Sequence, residues 1–182
     1  MKKILVIHPE DPSTDFLKVI YENIPNKTVV TKGLDPQEIT DLIINHDQVI
    51  MLGHGTPRGL LSVGQFPKSG GYVVNESHSR FLSQKEDNIY IWCYASDFVK
   101  SQKLKGFASG MFISEAIEAY ACGLSNYTHK QVEEQNDFFC ELVSKVAERP
   151  AKAIYDFVSE EFGELALYNE VADYNHKRLH FS

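Results

Sequence analysis

At 182 residues with a formal charge of −7, the chain is long enough for one domain with a full core. It lacks the basic face that non-specific nucleic-acid binding needs, and no apolar run approaches the roughly 20 residues that cross a bilayer. Its three cysteines, odd in number and without a Cys-x-x-Cys pair, fit neither a disulfide framework nor a structural zinc site.

The opening MKKILVIHPEDPS has neither the long apolar region nor the small-residue cleavage site of a signal peptide. It reads as a first strand over Lys3–His8, apolar enough to be buried on both faces, and the chain reads as cytoplasmic. Ser13 or Thr14 can cap a helix running to about Asn23, with Phe16, Leu17, Ile20 and Tyr21 on one side. Lys27–Thr31 is a β-branched second strand. Asp35 followed by Pro36 opens a second helix, with Ile39, Leu42 and Ile43 as its buried stripe. Gln48–Leu52 is a third strand and runs straight into Gly53-His54-Gly55.

A loop rich in Gly, Pro and Ser follows to about Gly71, with enough apolar residues for a small hairpin, and Tyr72–Val74 can be a short strand. Asn75 or Ser77 can cap a helix to about Ser83. Asn88–Cys93 is the fourth long strand. Ser96 and Asp97 cap a helix through Leu104, and Phe107–Ile113 is a fifth strand weakened by its glycines. Ser114-Glu115 starts a helix towards Cys122. The last third is helical, over about His129–Glu148 and Pro150–Phe162, before a basic tail or terminal strand over Tyr174–Ser182.

This alternation predicts an α/β fold in three layers: a mostly parallel sheet with helices on both faces and a helical C-terminal part. Right-handed crossovers make 2-1-3-4-5, the flavodoxin-like strand order, the economical arrangement. No linker divides residues 1–182 into two domains.

Chemistry in such sheets gathers at the carboxyl ends of the strands. His54 follows strand three and Cys93 ends strand four. If those strands are neighbours, topology alone brings together two residues distant in sequence. The residue types suit nucleophilic catalysis. A thiolate attacks, an imidazole takes and returns the proton, and an acyl-transfer site adds N–H donors for the oxyanion. Taken alone, a Cys at a strand end is more often packing, and a His in a Gly-rich loop more often a surface residue.

The two blocks VIMLGHG and IYIWCYA, in this order, resemble the signature of the caspase superfamily of cysteine peptidases: an apolar strand ending in His-Gly, then an apolar strand ending in Cys. The resemblance covers residues 3 to about 122. It implies a caspase-like fold, His54 as general acid–base, Cys93 as nucleophile, and the amides of Gly55 and Cys93 as oxyanion donors. It also implies a peptide or protein substrate, without a cofactor or metal. Trp92 stands where many members carry a small or polar residue. Ile91 stands where caspases carry a substrate-binding Gln, so a single-chain bacterial-type relative fits better than a caspase proper.

Two other readings compete. One is a catalytically inactive caspase-like or flavodoxin-like module that binds a protein. The other is a DJ-1-like or amidotransferase-like hydrolase in which His129 partners Cys93. His8, Arg58 and Asp97 are candidates for the substrate-binding wall. Asp11 and Asp15 are further carboxylates that can orient His54. Cys122 and Cys140 read as packing residues. No recognised ligand spacing points to a metal.

Overall fold

The computed structural model describes residues 2–182. Nine strands are present among them: β1 (Ile4–Ile7), β2 (Thr28–Val30), β3 (Gln48–Leu52), β4 (Gly55–Thr56), β5 (Gly59–Leu61), β6 (Tyr72–Asn75), β7 (Ile89–Ile91), β8 (Phe107–Ser109) and β9 (Leu179–Phe181). The helices are α1 (Val19–Glu22), α2 (Pro36–Asn45), α3 (Ser79–Leu82), α4 (Ala95–Ser101), α5 (Ala116–Ala121), α6 (His129–Val146), α7 (Ala151–Ala166) and α8 (Glu170–His176).

Six strands form one sheet in the order β2-β1-β3-β7-β8-β9. The first five are parallel and follow the expected 2-1-3-4-5 order. The C-terminal segment adds β9 antiparallel to β8, so its last residues are a strand rather than a free tail. Strand parity divides the core into two layers. Val6, Ile50, Leu52, Ile89 and Ile91 pack with α1, α6 and α7. Their alternates Leu5, Ile7, Val49, Met51 and Tyr90 pack with α2, α3 and α4. Helices thus cover both faces, which explains why β1 and β3 are buried at every position, all apolar except Gln48. The apolar residues of the Gly-rich loop close a second, three-stranded sheet, β4-β5-β6, between β3 and β7.

Local capping sets where the helices start. Asp35 accepts from the amides of Gln37 and Glu38, Glu38 reaches back to the Asp35 amide, and Pro36 occupies the first turn. The segment after β1 departs from its periodicity. Residues 12–18 form a 3₁₀ run, followed by the single α turn of α1. Its cap is Asp11, whose side chain accepts from both the amide and the hydroxyl of Ser13. Strands seven and eight are shorter than their apolar runs: the chain bends at Trp92 and turns at Cys93, and after Ser109 it bends at Gly110 and Met111 and runs on without regular structure.

Candidate functional site

Residues Leu52 of β3 and Ile91 of β7 are register partners, and the Gly53 amide extends the ladder by donating to the Ile91 carbonyl at 3.1 Å. His54 and Cys93 each lie two residues beyond that pair. Both positions lie past the last residues of their strands. Both line one pocket, together with Leu17, Phe112 and Glu118. The cavity is about 20 Å³, room for about one water molecule. Anything larger than a water molecule does not fit inside it.

Two turns present these residues. Gly53 has φ +137°, a conformation that a residue with a side chain rarely adopts, and it turns the chain from β3 into His54. On the other strand, Tyr94 adopts the left-handed conformation (φ 68°, ψ 24°) and feeds directly into α4. A tyrosine there carries a strain of about 1–2 kcal/mol. The Tyr94 amide donates to the Gly110 carbonyl at 3.0 Å, which fixes the turn. Asp97 therefore lies in the first turn of α4 and is not its cap.

Trp92 is a core residue that also borders the pocket. It is 1% exposed, packs on Tyr90 and Phe98, and donates from Nε1 to the Thr56 carbonyl at 3.1 Å. Its indole lies flush against Gly55, where a Cβ would come within 1.9 Å of Trp92 Cδ1. Gly55 is thus required sterically, whatever its amide does.

The imidazole of His54 is engaged by the segment after β1. Its Nε2 lies 2.7 Å from Ser13 Oγ, and Ser13 Oγ donates to Asp11 Oδ1, also at 2.7 Å. The other Asp11 oxygen is 3.9 Å from Nε2. The Ser13 hydroxyl and amide hold the Asp11 carboxyl below its ordinary pKa, helped by His54. Sequence reasoning took Ser13 for a helix cap and missed this contact, since only the fold brings residues 13 and 54 together.

Cys93 faces the opposite wall. Its thiol donates to the Phe112 carbonyl at 3.6 Å, and burial pushes its pKa up to about 11, with the Glu118 carboxylate adding to the shift. At neutral pH this sulfur is a protonated thiol, not half of a preformed ion pair. The acceptor wall is rigid. Asn175 accepts from the Ile113 amide at 2.7 Å and donates to the Ile113 carbonyl at 2.9 Å, Gln135 donates to the same carbonyl, and Asn136 donates to that of Ser114.

The remaining candidates fall away from this pocket. His8 is 2% exposed, between Tyr21 Oη and Thr14 Oγ1 at 3.1 Å each, and burial lowers its pKa to about 4. It is a core histidine, one side chain removed from the pocket. Arg58 is exposed beyond β4, with its guanidinium over the Tyr72 ring at 5.4 Å. Asp97 lines a cleft with Lys100, Arg178 and His180 on the far side of the β7–α4 turn. Asp15 pairs with Lys18. His129 lines a different cavity, with Glu115 and Glu133, and is not brought to Cys93. Cys140 is fully buried in the core. Among the described residues no group of three or more His, Cys, Asp or Glu is placed to hold a metal ion, and no helix is long and apolar enough to cross a membrane.

No protein-family model matches the chain, and no curated protein does. Among solved structures it is similar to RcsB from Salmonella enterica serovar Typhimurium, bound to promoter rprA in the presence of phosphomimetic BeF3−. The identity is 12% over 96% of this chain and 97% of that one, with a TM-score of 0.35. A likeness at that level carries no argument about function.

Proposed function

We propose that this chain is a cysteine-dependent hydrolase of peptide or amide bonds, with Cys93 as nucleophile and His54 as general acid–base. One observation carries the reading: two residues 39 apart follow the register-paired ends of neighbouring parallel strands and line one pocket. The caspase-like pattern of VIMLGHG and IYIWCYA supports the same pairing.

The chemistry starts from a neutral thiol. As the Cys93 sulfur bonds to the substrate carbonyl carbon, its proton passes to the imidazole. The tetrahedral oxyanion needs N–H donors, a role the resemblance gives to the amides of Gly55 and Cys93. Collapse breaks the C–N bond, and the imidazolium protonates the departing amine. Water then attacks the thioester, His54 again taking a proton, and releases the acid and the free thiol. A thiol with a pKa of about 11 makes general-base assistance essential, because forming the free thiolate at pH 7 costs about 5 kcal/mol.

The parked thiol also motivates a second reading, an inactive module of the same fold that binds a protein. A fluorogenic peptide library separates the two. The hydrolase reading expects turnover of at least one substrate, abolished in Cys93→Ala and His54→Ala. Absence of turnover across the library, with the protein folded, favours the binding module.

A further inference from the structure

We infer that Asp11 and Ser13 form a positioning relay that holds neutral His54 with its proton on Nε2, leaving the lone pair on Nδ1 as the base for Cys93. The catalytic purpose of the relay rests on the hydrolase reading. The proton placement does not.

Ser13 Oγ lies 2.7 Å from Asp11 Oδ1 and 2.7 Å from His54 Nε2. A hydroxyl has one proton to give. An ionised carboxylate can only accept, and Asp11 is held in that form by its two bonds from Ser13, the second from the amide at 2.9 Å. If Ser13 gave its proton to His54 instead, a hydroxyl lone pair would face a carboxylate oxygen at 2.7 Å. The proton therefore points at Asp11. Ser13 Oγ can then only accept from His54, so Nε2 carries the hydrogen and Nδ1 is the acceptor. Once Nδ1 takes a second proton, the imidazolium has the other Asp11 oxygen 3.9 Å away. The relay thus fixes which nitrogen works and stabilises the charge that appears when it does.

The segment is built for this. Asp11 is held by capping the 3₁₀ run, with Pro12 at its first position. Ser13 and the edge of His54 remain solvent-accessible, so substitution there disturbs little packing.

The test is the tautomer, read from long-range ¹H–¹⁵N spectra of protein labelled in its imidazole nitrogens, with the His54 signal assigned by its loss in His54→Gln. At pH 8 the wild type is expected to show one protonated Nε2 and one unprotonated Nδ1. Ser13→Thr keeps that pattern. Ser13→Ala, which removes the acceptor, gives a mixture. Asp11→Ala frees the Ser13 proton to point at Nε2 and moves the hydrogen to Nδ1. The other histidine signals report folding in each variant. A wild-type hydrogen on Nδ1 overturns the inference, as does a pattern that neither Asp11→Ala nor Ser13→Ala changes. On any substrate that the enzyme turns over, Ser13→Ala is expected to lower kcat about tenfold or more with little change in KM, and Ser13→Thr to restore it. An unchanged kcat with the expected tautomer overturns the positioning role. If no substrate or probe reports Cys93 chemistry, the hydrolase reading fails while the spectra still decide the relay.

Discussion

Replacing Gly55 by alanine isolates the steric demand of the Gly-His-Gly turn from any role of its amide. The added Cβ would lie 1.9 Å from Cδ1, 2.4 Å from Cγ and 2.6 Å from Nε1 of Trp92. Ordinary carbon contacts are about 3.5–4.0 Å, so one side must retreat by about 1.5 Å. Trp92 has no free space to retreat into: it is 1% exposed, with the Tyr90 and Phe98 rings at 5.8 and 5.7 Å between centroids. Overpacking of this kind costs about 1–3 kcal/mol. Any displacement also stretches the 3.1 Å bond from Trp92 Nε1 to Thr56, worth about 1 kcal/mol. The expected loss is about 2–4 kcal/mol, a fall of about 1–2 M in the urea midpoint. The chain has one tryptophan, so its fluorescence reports on the affected contact, and circular dichroism gives an independent trace. Trp92→Ala in the same chain removes Cγ, Cδ1 and Nε1 and with them the clash, so the double variant, followed by circular dichroism, is expected to lose clearly less than the sum of the single losses. A Gly55→Ala midpoint within error of wild type would refute the packing argument and leave the glycine to be explained by chemistry alone.

Other outcomes follow from the same geometry. The alkylation rate of Cys93 by iodoacetamide is expected to rise about tenfold per pH unit up to about pH 10 and to level only near 11. Levelling near pH 8.5, as for a free thiol, contradicts the burial of the sulfur against Phe112. His8 titrates near 4 in the folded state, against 6.5 unfolded. Its lowered folded pKa means that the unfolded chain binds the proton first, so stability falls as pH drops from about 6.5 towards 4, by about 2 kcal/mol at pH 5. Urea midpoints at pH 7.5 and 5 measure this, and His8→Gln is expected to flatten most of the slope. His78, also lowered by burial, contributes in the same direction. Asp35→Ala removes the capping box of α2 and is expected to cost about 1 kcal/mol, or about 2–4 °C in Tm. An unchanged melting curve would mean that α2 is held by Ile39 and Ile43 alone.

Periodicity made the sheet legible. Apolar runs mark β1 and β3, and handed crossovers set β3 beside β7, so the neighbouring positions of His54 and Cys93 are legible in the sequence. Side-chain direction could not be read that way. Residues at the same sheet edge were expected to line one wall, yet Asp97 and Arg58 open onto other clefts, and His8 turns inward to Tyr21 and Thr14. The Ser13–His54 contact joins residues 41 apart. Locally, Ser13 looks like any helix cap, and only the 3₁₀ geometry that makes Asp11 the cap turns its hydroxyl towards the imidazole. Trp92 was the feature least compatible with a nucleophile at Cys93. Its side chain packs with Tyr90 and Phe98 in the core layer of α2, α3 and α4, although the residue also borders the pocket.

Attack of Cys93 on a carbonyl carbon, with His54 assisting, is the step on which the proposed function depends. Peptidyl acyloxymethyl ketones test it directly, because they trap an assisted active-site thiol and react poorly with an unassisted one. With a library varied at the residue next to the warhead, intact-mass spectra and peptide mapping are expected to show one adduct, on Cys93, in the wild type. No adduct is expected in Cys93→Ala, and at most slow labelling in His54→Ala. An adduct on Cys122, or labelling of Cys93 at the same rate with and without His54, would contradict the account.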